Sequence, residues 1–416
     1  MNEEQRNELF LEALKASLKD EKVSWEMELT AQDLLELFQI AEKHHVLPMI
    51  YEAVYSCPTV KRMEPQLLQP CKRLMIQSVM LQTLKTNEFL QLYSHLASKG
   101  IHPLVVKGIV CRNLYPKPDY RMSGDEDILI PAGEFMTCHE AMLEYGMQTA
   151  DEKSDLESDY EIPYNKQNSP IYIELHKSLF SPTSDAYGDL NRYFEHIQDQ
   201  AIEVSADGKE LLTMGYTDHL FYLICHSFKH FLHSGFGIRQ VCDINLFANA
   251  YGKEIDWLKV LKQCKEIHAD QFTAALFQIG QNYLTFDPDQ ACYPAEWREI
   301  QVDETMLLMD LLDAGIYGDG SMSRKHSSNI TLNAVSAQKQ GRKAGNGLIK
   351  TIFPSAKNLE GRYVYLKKRP YLLPIAWANR IWTYRRELSR TENNDAAKAV
   401  EIGNQRVELL KKYNII

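Results

Sequence analysis

The sequence predicts an α+β protein in which a small α/β centre sits between a helical N-terminal and a helical C-terminal region. Three observations carry this expectation. Apolar residues recur at helical spacing through the first hundred positions and again beyond Leu211. Between them, short β-rich runs stand at His102–Val106, Asp127–Ile130 and Ile171–Leu175. The chain has 416 residues, 25% charged and 44% hydrophobic, enough for two or three domains with a core needing neither disulfide nor structural metal.

Taken in order, residues 1–100 read as an N-terminal helical region. Leu9, Phe10, Leu14 and Leu18 share one helical face. Thr30 then suits an N-cap, with Gln32 and Asp33 in the first turn and Leu34, Leu35, Leu37, Phe38 and Ala41 as the apolar stripe. A long periodic stretch from about Gln66 to Ser98 ends at Gly100, as a helix C-terminus should. Residues 101–210 form the α/β core: the three strand candidates, a helix near Ala132–Tyr145, and an acidic segment, Asp151–Asp159, that reads as a solvated loop. Residues 211–416 return to helix, clearest at His219–Leu232 and Val241–Tyr251. Within them, 315–347 is rich in Gly, Ser, Asn and Lys and predicts a mobile loop. A basic aromatic segment, Lys367–Arg386, and an amphipathic helix near Ala396–Leu410 complete the chain.

Composition excludes several classes of function. A net charge of −10 argues against a general nucleic-acid binder, although local basic patches are compatible with it. The eight cysteines are scattered, with no CxxC and no metal-like spacing. The acidic, amphipathic start is unlike a signal peptide, and no apolar run reaches the ~18 residues of a membrane span. The chain reads as reduced, soluble and cytoplasmic. There is no Walker P-loop, no GxGxxG and no GxSxG elbow.

The chemistry concentrates in the centre. Lys107-Gly108 follows the first strand, and the next opens Gly124-Asp125-Glu126-Asp127-Ile128-Leu129-Ile130. Strand alternation puts Asp125 and Asp127 on one face and Glu126 on the other. Two carboxylates side by side repel unless a cation lies between them, which suits an oxygen-ligated divalent ion. Glu174, in IYIELH, is the best third acid, and His176 shares its strand face.

The run VVKGIVCRNLYPKPDYRMSGDEDILIP, followed by IYIELHKSL, resembles the nucleotidyltransferase superfamily typified by DNA polymerase β and kanamycin nucleotidyltransferase. It is more closely similar to an uncharacterised bacterial nucleotidyltransferase family with a KG…R…DxD pattern. LFQIAEKHHVLPMIYEAV, LFYLICHSFKHFLHSGFGIRQVCDI and FPSAKNLEGRYVYLKKRPYLLPIAWANRI extend the likeness over most of the chain. Two departures stand out: Lys107-Gly108 replaces the usual Gly-Ser, and YPKPDYR lengthens the interval to the aspartates.

The resemblance implies a small mixed-sheet core and a Mg²⁺-dependent transfer of NMP from an NTP to a hydroxyl of an acceptor, a small molecule or a protein, with release of pyrophosphate. Two Mg²⁺ ions, with Mn²⁺ as the alternative, would be held by Asp125, Asp127 and Glu174, the last also placed to act as base. Lys107, Gly108, Arg121, His176, Lys229 and His230 would contact the nucleotide. Lys107 is equally suited to pair with the aspartates, and Arg121 to brace the long turn. His226 and His230, four apart, fit a cleft-lining or core helix better than a zinc motif, since Ser227 stands where the metalloprotease pattern needs Glu. Arg239 and Asp243 fit either a helical ion pair or the same cleft wall. The alternative function is a non-catalytic nucleotide-binding or scaffold protein retaining the fold.

Three expectations follow. The carboxylates of Asp125, Asp127 and Glu174 should converge within about 6 Å. The helix around His226–His233 should face the aspartates. Asp127→Asn should abolish transfer while stability holds or rises, with Glu126→Gln as an active control.

Overall fold

In the computed structural model, residues 1–63, 65–315, 322–341, 359, 363, 365–366, 369–388 and 396–416 are described. The N-terminal region comprises α1 (Glu3–Leu18), α2 (Ala31–Lys43), α3 (Leu47–Val54), the short α4 (Pro58–Lys61) and the long α5 (Pro65–Ser98). Local chemistry sets their ends. Asn2 and Gln5 form a capping box on α1, and Thr30 and Asp33 do the same on α2. Gly100 takes a positive φ just past α5, the left-handed turn that a helix C-terminus favours. Leu34, Leu37, Phe38 and Ala41 face inward as their spacing predicts, while Leu35 lies outside the buried stripe.

The centre is a five-stranded mixed sheet in the order β1-β2-β5-β4-β3. Its strands are β1 (Leu104–Val105), β2 (Glu126–Leu129), β3 (Met147–Thr149), β4 (Glu161–Lys166) and β5 (Tyr172–His176). Between β1 and β2 lies the one-turn α6 (Ile109–Arg112), and α7 (Phe135–Glu144) follows β2. The pair β2–β5 is parallel, and the pairs flanking it are antiparallel. A hairpin, β6 (Ile202–Ala206) and β7 (Lys209–Thr213), turns through Asp207 and Gly208, both at positive φ. The hairpin is fastened to β1 by Thr213 Oγ1, which donates to the Val105 carbonyl at 2.5 Å.

The C-terminal region begins with α8 (Tyr216–Leu232) and α9 (Ile238–Tyr251), both largely buried. It continues through α10 (Trp257–Glu266), α11 (Asp270–Tyr283), α12 (Ala295–Arg298), α13 (Thr305–Ala314), α14 (Met322–Lys339), α15 (Leu373–Leu388) and α16 (Ala396–Lys412). One hydrophobic core runs from Leu9 in α1 to Ile415 beyond α16 and packs against the sheet on the way.

The stretch 315–347, expected as a mobile loop, instead contains α14; its residues 316–321 and 342–347 lie outside the described ones. Composition misleads here because polar side chains are buried for bonding. Thr331 Oγ1 donates to the Leu232 carbonyl and Arg324 Nε to the Ser234 carbonyl. In the basic aromatic segment, Lys367 and Lys368 lie outside the described residues, and Pro370–Leu372 forms a 3-10 turn leading into α15. No helix among the described residues is long and apolar enough to cross a membrane.

Candidate active site

The parallel register of β2 and β5 sets Asp127 directly beside Glu174, and His176 lies two residues further along the same face. Ligand atoms of Asp127, Glu174 and His176 lie within 4.8 Å of one another. His176 Nε2 stands 3.1 Å from Asp127 Oδ1 and 3.7 Å from Glu174 Oε2, and its Nδ1 stands 3.5 Å from Glu161 Oε2 on β4. Lys107 Nζ approaches Asp127 Oδ2 to 2.7 Å from the other side. Asp127 is therefore buried, 2% exposed, between two cations.

This geometry drives the two carboxyl groups apart in acidity. Burial alone would raise Asp127, but Lys107 and His176 hold it well below the usual carboxylate range. Burial raises Glu174; its bond to His176 offsets part of that rise, and the neighbouring Asp127 and Asp125 charges add to it. His176 is pushed down by burial, yet its bonds to Asp127 and Glu174 lift it to about 9, so it is an imidazolium at neutral pH. Burial likewise opposes the Lys107 charge, and Asp127 and Asp125 hold it well above its ordinary value. One carboxyl group held towards its ionised form beside one shifted towards its protonated form is the division of labour that acid–base chemistry uses.

Asp125 precedes β2 and lines an adjoining narrow cavity rather than joining the close trio. Around that cavity stand Lys107, Gly108, Arg121, His226 and Arg239. Gly108 is required there: it has φ +46°, and a Cβ would lie 1.7 Å from Glu126 Oε2. Glu126 does point away from the two aspartates, into the protein. It accepts from the Ile109 backbone N–H at 2.9 Å and from Ser123 Oγ at 3.0 Å, and it is paired with the buried Arg112. It anchors the Lys107-Gly108 loop to β2.

Helix α8 forms the facing wall. Lys107 Nζ lies 3.1 Å from His226 Nε2. An ammonium can only donate, so that nitrogen is the acceptor and the His226 proton sits on Nδ1. His230 Nε2 stands behind, 3.3 Å from His226 Nε2. Burial and the nearby Lys107 and Lys229 charges keep both rings neutral, well below the ordinary histidine value. On α9, Asp243 accepts from Arg121 Nε at 2.8 Å and Nη2 at 2.7 Å, and from Tyr115 OH at 2.7 Å. Arg121 Nη1 is buried without a hydrogen-bond partner, and Arg121 is among the residues lining the cavity. Arg121 thus both braces the turn and lines the cavity.

Among the residues expected to meet a nucleotide, Lys107, Gly108 and Arg121 line the cavity, and His176 sits in the carboxylate trio. His226 is the histidine of α8 that lines it, with His230 one turn behind; Lys229 is not among the lining residues. Sequence reasoning missed Glu161 beside His176, Ser123 and Gln240 in the cavity lining, and Tyr222, whose ring centre lies 5.9 Å from that of His226. Tyr222 and His226 are four apart on α8, a spacing that could have identified this face. Glu161 was hidden because Pro163 weakens β4 as a strand candidate.

The chemistry of the trio, two carboxylates and a histidine that would give up its proton on ligation, fits a divalent cation. Asp127 Oδ2 faces only the Lys107 ammonium and His176 Nδ1 only Glu161 Oε2, neither with a further hydrogen-bond partner. No curated protein and no solved structure matches the chain. A family model described as uncharacterised nucleotidyltransferase matches residues 30–284, which take in the trio, the Lys107-Gly108 loop and both facing helices. That match covers more than half of the chain, and with the acid-bearing parallel strand pair at its centre the protein belongs to this nucleotidyltransferase family.

Proposed function

We propose that the protein transfers an NMP group from a nucleoside triphosphate to a hydroxyl of an acceptor, with a divalent cation and with release of pyrophosphate. The observation that carries this reading is the pairing of Asp127 with Glu174 on adjacent parallel strands, next to a cavity lined by Lys107, Arg121 and Arg239. Asp127, Glu174 and Asp125 would hold Mg²⁺, with His176 favouring Mn²⁺ as the alternative ion. Such an ion supplies neutralisation of charge at the reacting phosphoryl group. Lys107 and Arg121 bind the anionic phosphates, and Gly108 lets the backbone approach them. Glu174, whose acidity is weakened by burial, takes the proton of the acceptor hydroxyl. The acceptor oxygen bonds to the α-phosphorus as the bond to the β-phosphate oxygen breaks. We assign the acceptor to small molecules or a protein, because the acidic chain disfavours long nucleic acids. The absence of a membrane-crossing helix among the described residues accords with a cytoplasmic reaction.

A second reading, a non-catalytic nucleotide binder, is favoured by one observation: both Asp127 oxygens already face cations of the protein, Lys107 and His176. Thermal-shift titration with each of the four NTPs, with and without Mg²⁺, separates the two. The transferase reading expects stabilisation that needs the cation and is lost in Glu174→Gln. It also expects transfer of label from an α-³²P NTP to an acceptor in a metabolite extract. Nucleotide binding indifferent to the cation would favour the binder, and no stabilisation by any NTP would remove both.

A further inference from the structure

Lys107 touches both halves of the site. Its ammonium is 2.7 Å from Asp127 Oδ2 and 3.1 Å from His226 Nε2, at the edge of the cavity shared with Arg121 and Asp125. The Asp127 contact is an ion pair with a buried carboxylate. The His226 contact is a hydrogen bond to a neutral acceptor on a different element. Lys107 therefore has a second anchor that does not depend on Asp127.

His176 has no such freedom. Its ring is held on the sheet face between Asp127, Glu174 and Glu161, all within 3.7 Å. A divalent cation drawing on Asp127 would meet the Lys107 ammonium, which already lies 2.7 Å from Oδ2. Concentrating positive charge in so small a buried volume is strongly unfavourable. His176 would meet such an ion as a neutral ring that has given up its proton, while Lys107, on a flexible stem with His226 within reach, can move away from Asp127.

We propose that Lys107 is an exchangeable counter-ion: it neutralises Asp127 until a divalent cation binds, then swings to His226 and the cavity, where it meets the substrate's phosphate oxygens. The proposal rests on the reading of Asp127, Glu174 and His176 as a cation site. It gives Lys107, in the place where the superfamily pattern has Gly-Ser, a role in coupling: cation binding delivers a positive charge to the phosphate side, and by linkage an anion in the cavity strengthens cation binding.

The test uses Mn²⁺ alone on the full chain, with free Mn²⁺ counted by electron paramagnetic resonance. Lys107→Met should bind Mn²⁺ roughly ten- to a hundredfold more tightly than the wild type. Lys107→Arg, which keeps the charge, should show no such gain. Lys85→Met is the control for the long-range field, because Lys85 Nζ bonds to the Ser123 and Gly124 carbonyls beside the site. It should shift Mn²⁺ affinity far less. A second measurement needs no variant: in the wild type, Mn²⁺ should increase acetylation of Lys107 by a soluble anhydride, read by peptide mass spectrometry. Equal Mn²⁺ affinity in wild type and Lys107→Met, equal gains from Lys85→Met, or Lys107 acetylation indifferent to Mn²⁺ would each overturn the exchange while leaving the cation site standing. No Mn²⁺ bound by wild type or Lys107→Met would overturn both.

Discussion

Asp127 and Glu126 are adjacent in sequence and buried on opposite faces of β2, and their environments set different expectations for their loss. The strand-face argument expects Asp127→Asn to relieve repulsion and hold or raise stability. The geometry reverses that sign, because Asp127 is the counter-charge of both Lys107 and His176. Removing one partner of a buried ion pair strands the others, at a cost of roughly 3–5 kcal/mol. Asp127→Asn should therefore lower stability in denaturant melts as well as reduce transfer by about 10³. Glu126→Gln is not a silent control either, since it leaves Arg112 buried without its carboxylate. It should destabilise comparably yet retain most activity per folded molecule, because Glu126 faces away from the site. An Asp127→Asn variant as stable as the wild type would show that the two cations do not depend on it.

At the level of elements, the site wall depends on how the last helices are tied to α8. Asp310 on α13 pairs with Arg324 of α14 at 2.6 Å and with Arg406 of α16 at 3.5 Å. Arg406 in turn donates to the Phe231 and His233 carbonyls at the C-terminal end of α8. One carboxylate thus serves two buried guanidinium groups that hold three elements against the helix carrying His226. Asp310→Asn should destabilise the protein by roughly 3–5 kcal/mol. Hydrogen exchange should show the loss first in α14 and α16, with the sheet less affected. Uniform loosening of sheet and helices alike would mean that the C-terminal helices and the core open as one unit.

For the whole molecule, buried histidines of opposite sign bound the pH range of stability. His44 lies buried with Nε2 3.1 Å from the Leu312 carbonyl, and His219 is buried beside Thr213. Burial pushes each down to about 4 from an ordinary 6.5. Between pH 6.5 and about 4 the unfolded chain binds these protons and the folded one does not, so stability falls as the solution is acidified. His176, raised to about 9, acts the other way: its contribution is complete below pH 6.5 and is lost as pH rises through 9. The melting temperature should peak near pH 6.5 and fall by several degrees on both sides, with the acid limb steeper. His44→Gln and His219→Gln should each flatten the acid limb only, as scanning calorimetry from pH 4 to 9 would show.

Periodicity and spacing alone determine the α+β class, the first two helices with their caps, the strands carrying Asp127 and Glu174, and the shared face of Glu174 and His176. These are local properties, set within a few residues by side-chain period and capping chemistry. The Asp207-Gly208 hairpin was not among the strand candidates, although that dipeptide suits a turn with two positive φ values. β3 and β4 were not either: one is three residues long and the other contains Pro163, and both are held by pairing with the neighbouring strand rather than by their own side-chain pattern. Nor could a loop-like composition reveal α14, whose polar side chains bond to the end of α8. Only the tertiary structure decided that β2 and β5 run parallel in a register matching Asp127 to Glu174, that Lys107 meets both Asp127 and His226, and that Asp243 holds Arg121. Apart from Lys107 and Asp127, which are 20 positions apart, those contacts join residues more than 40 positions apart, where pairing is chosen by the packing of the whole chain and no local pattern records it.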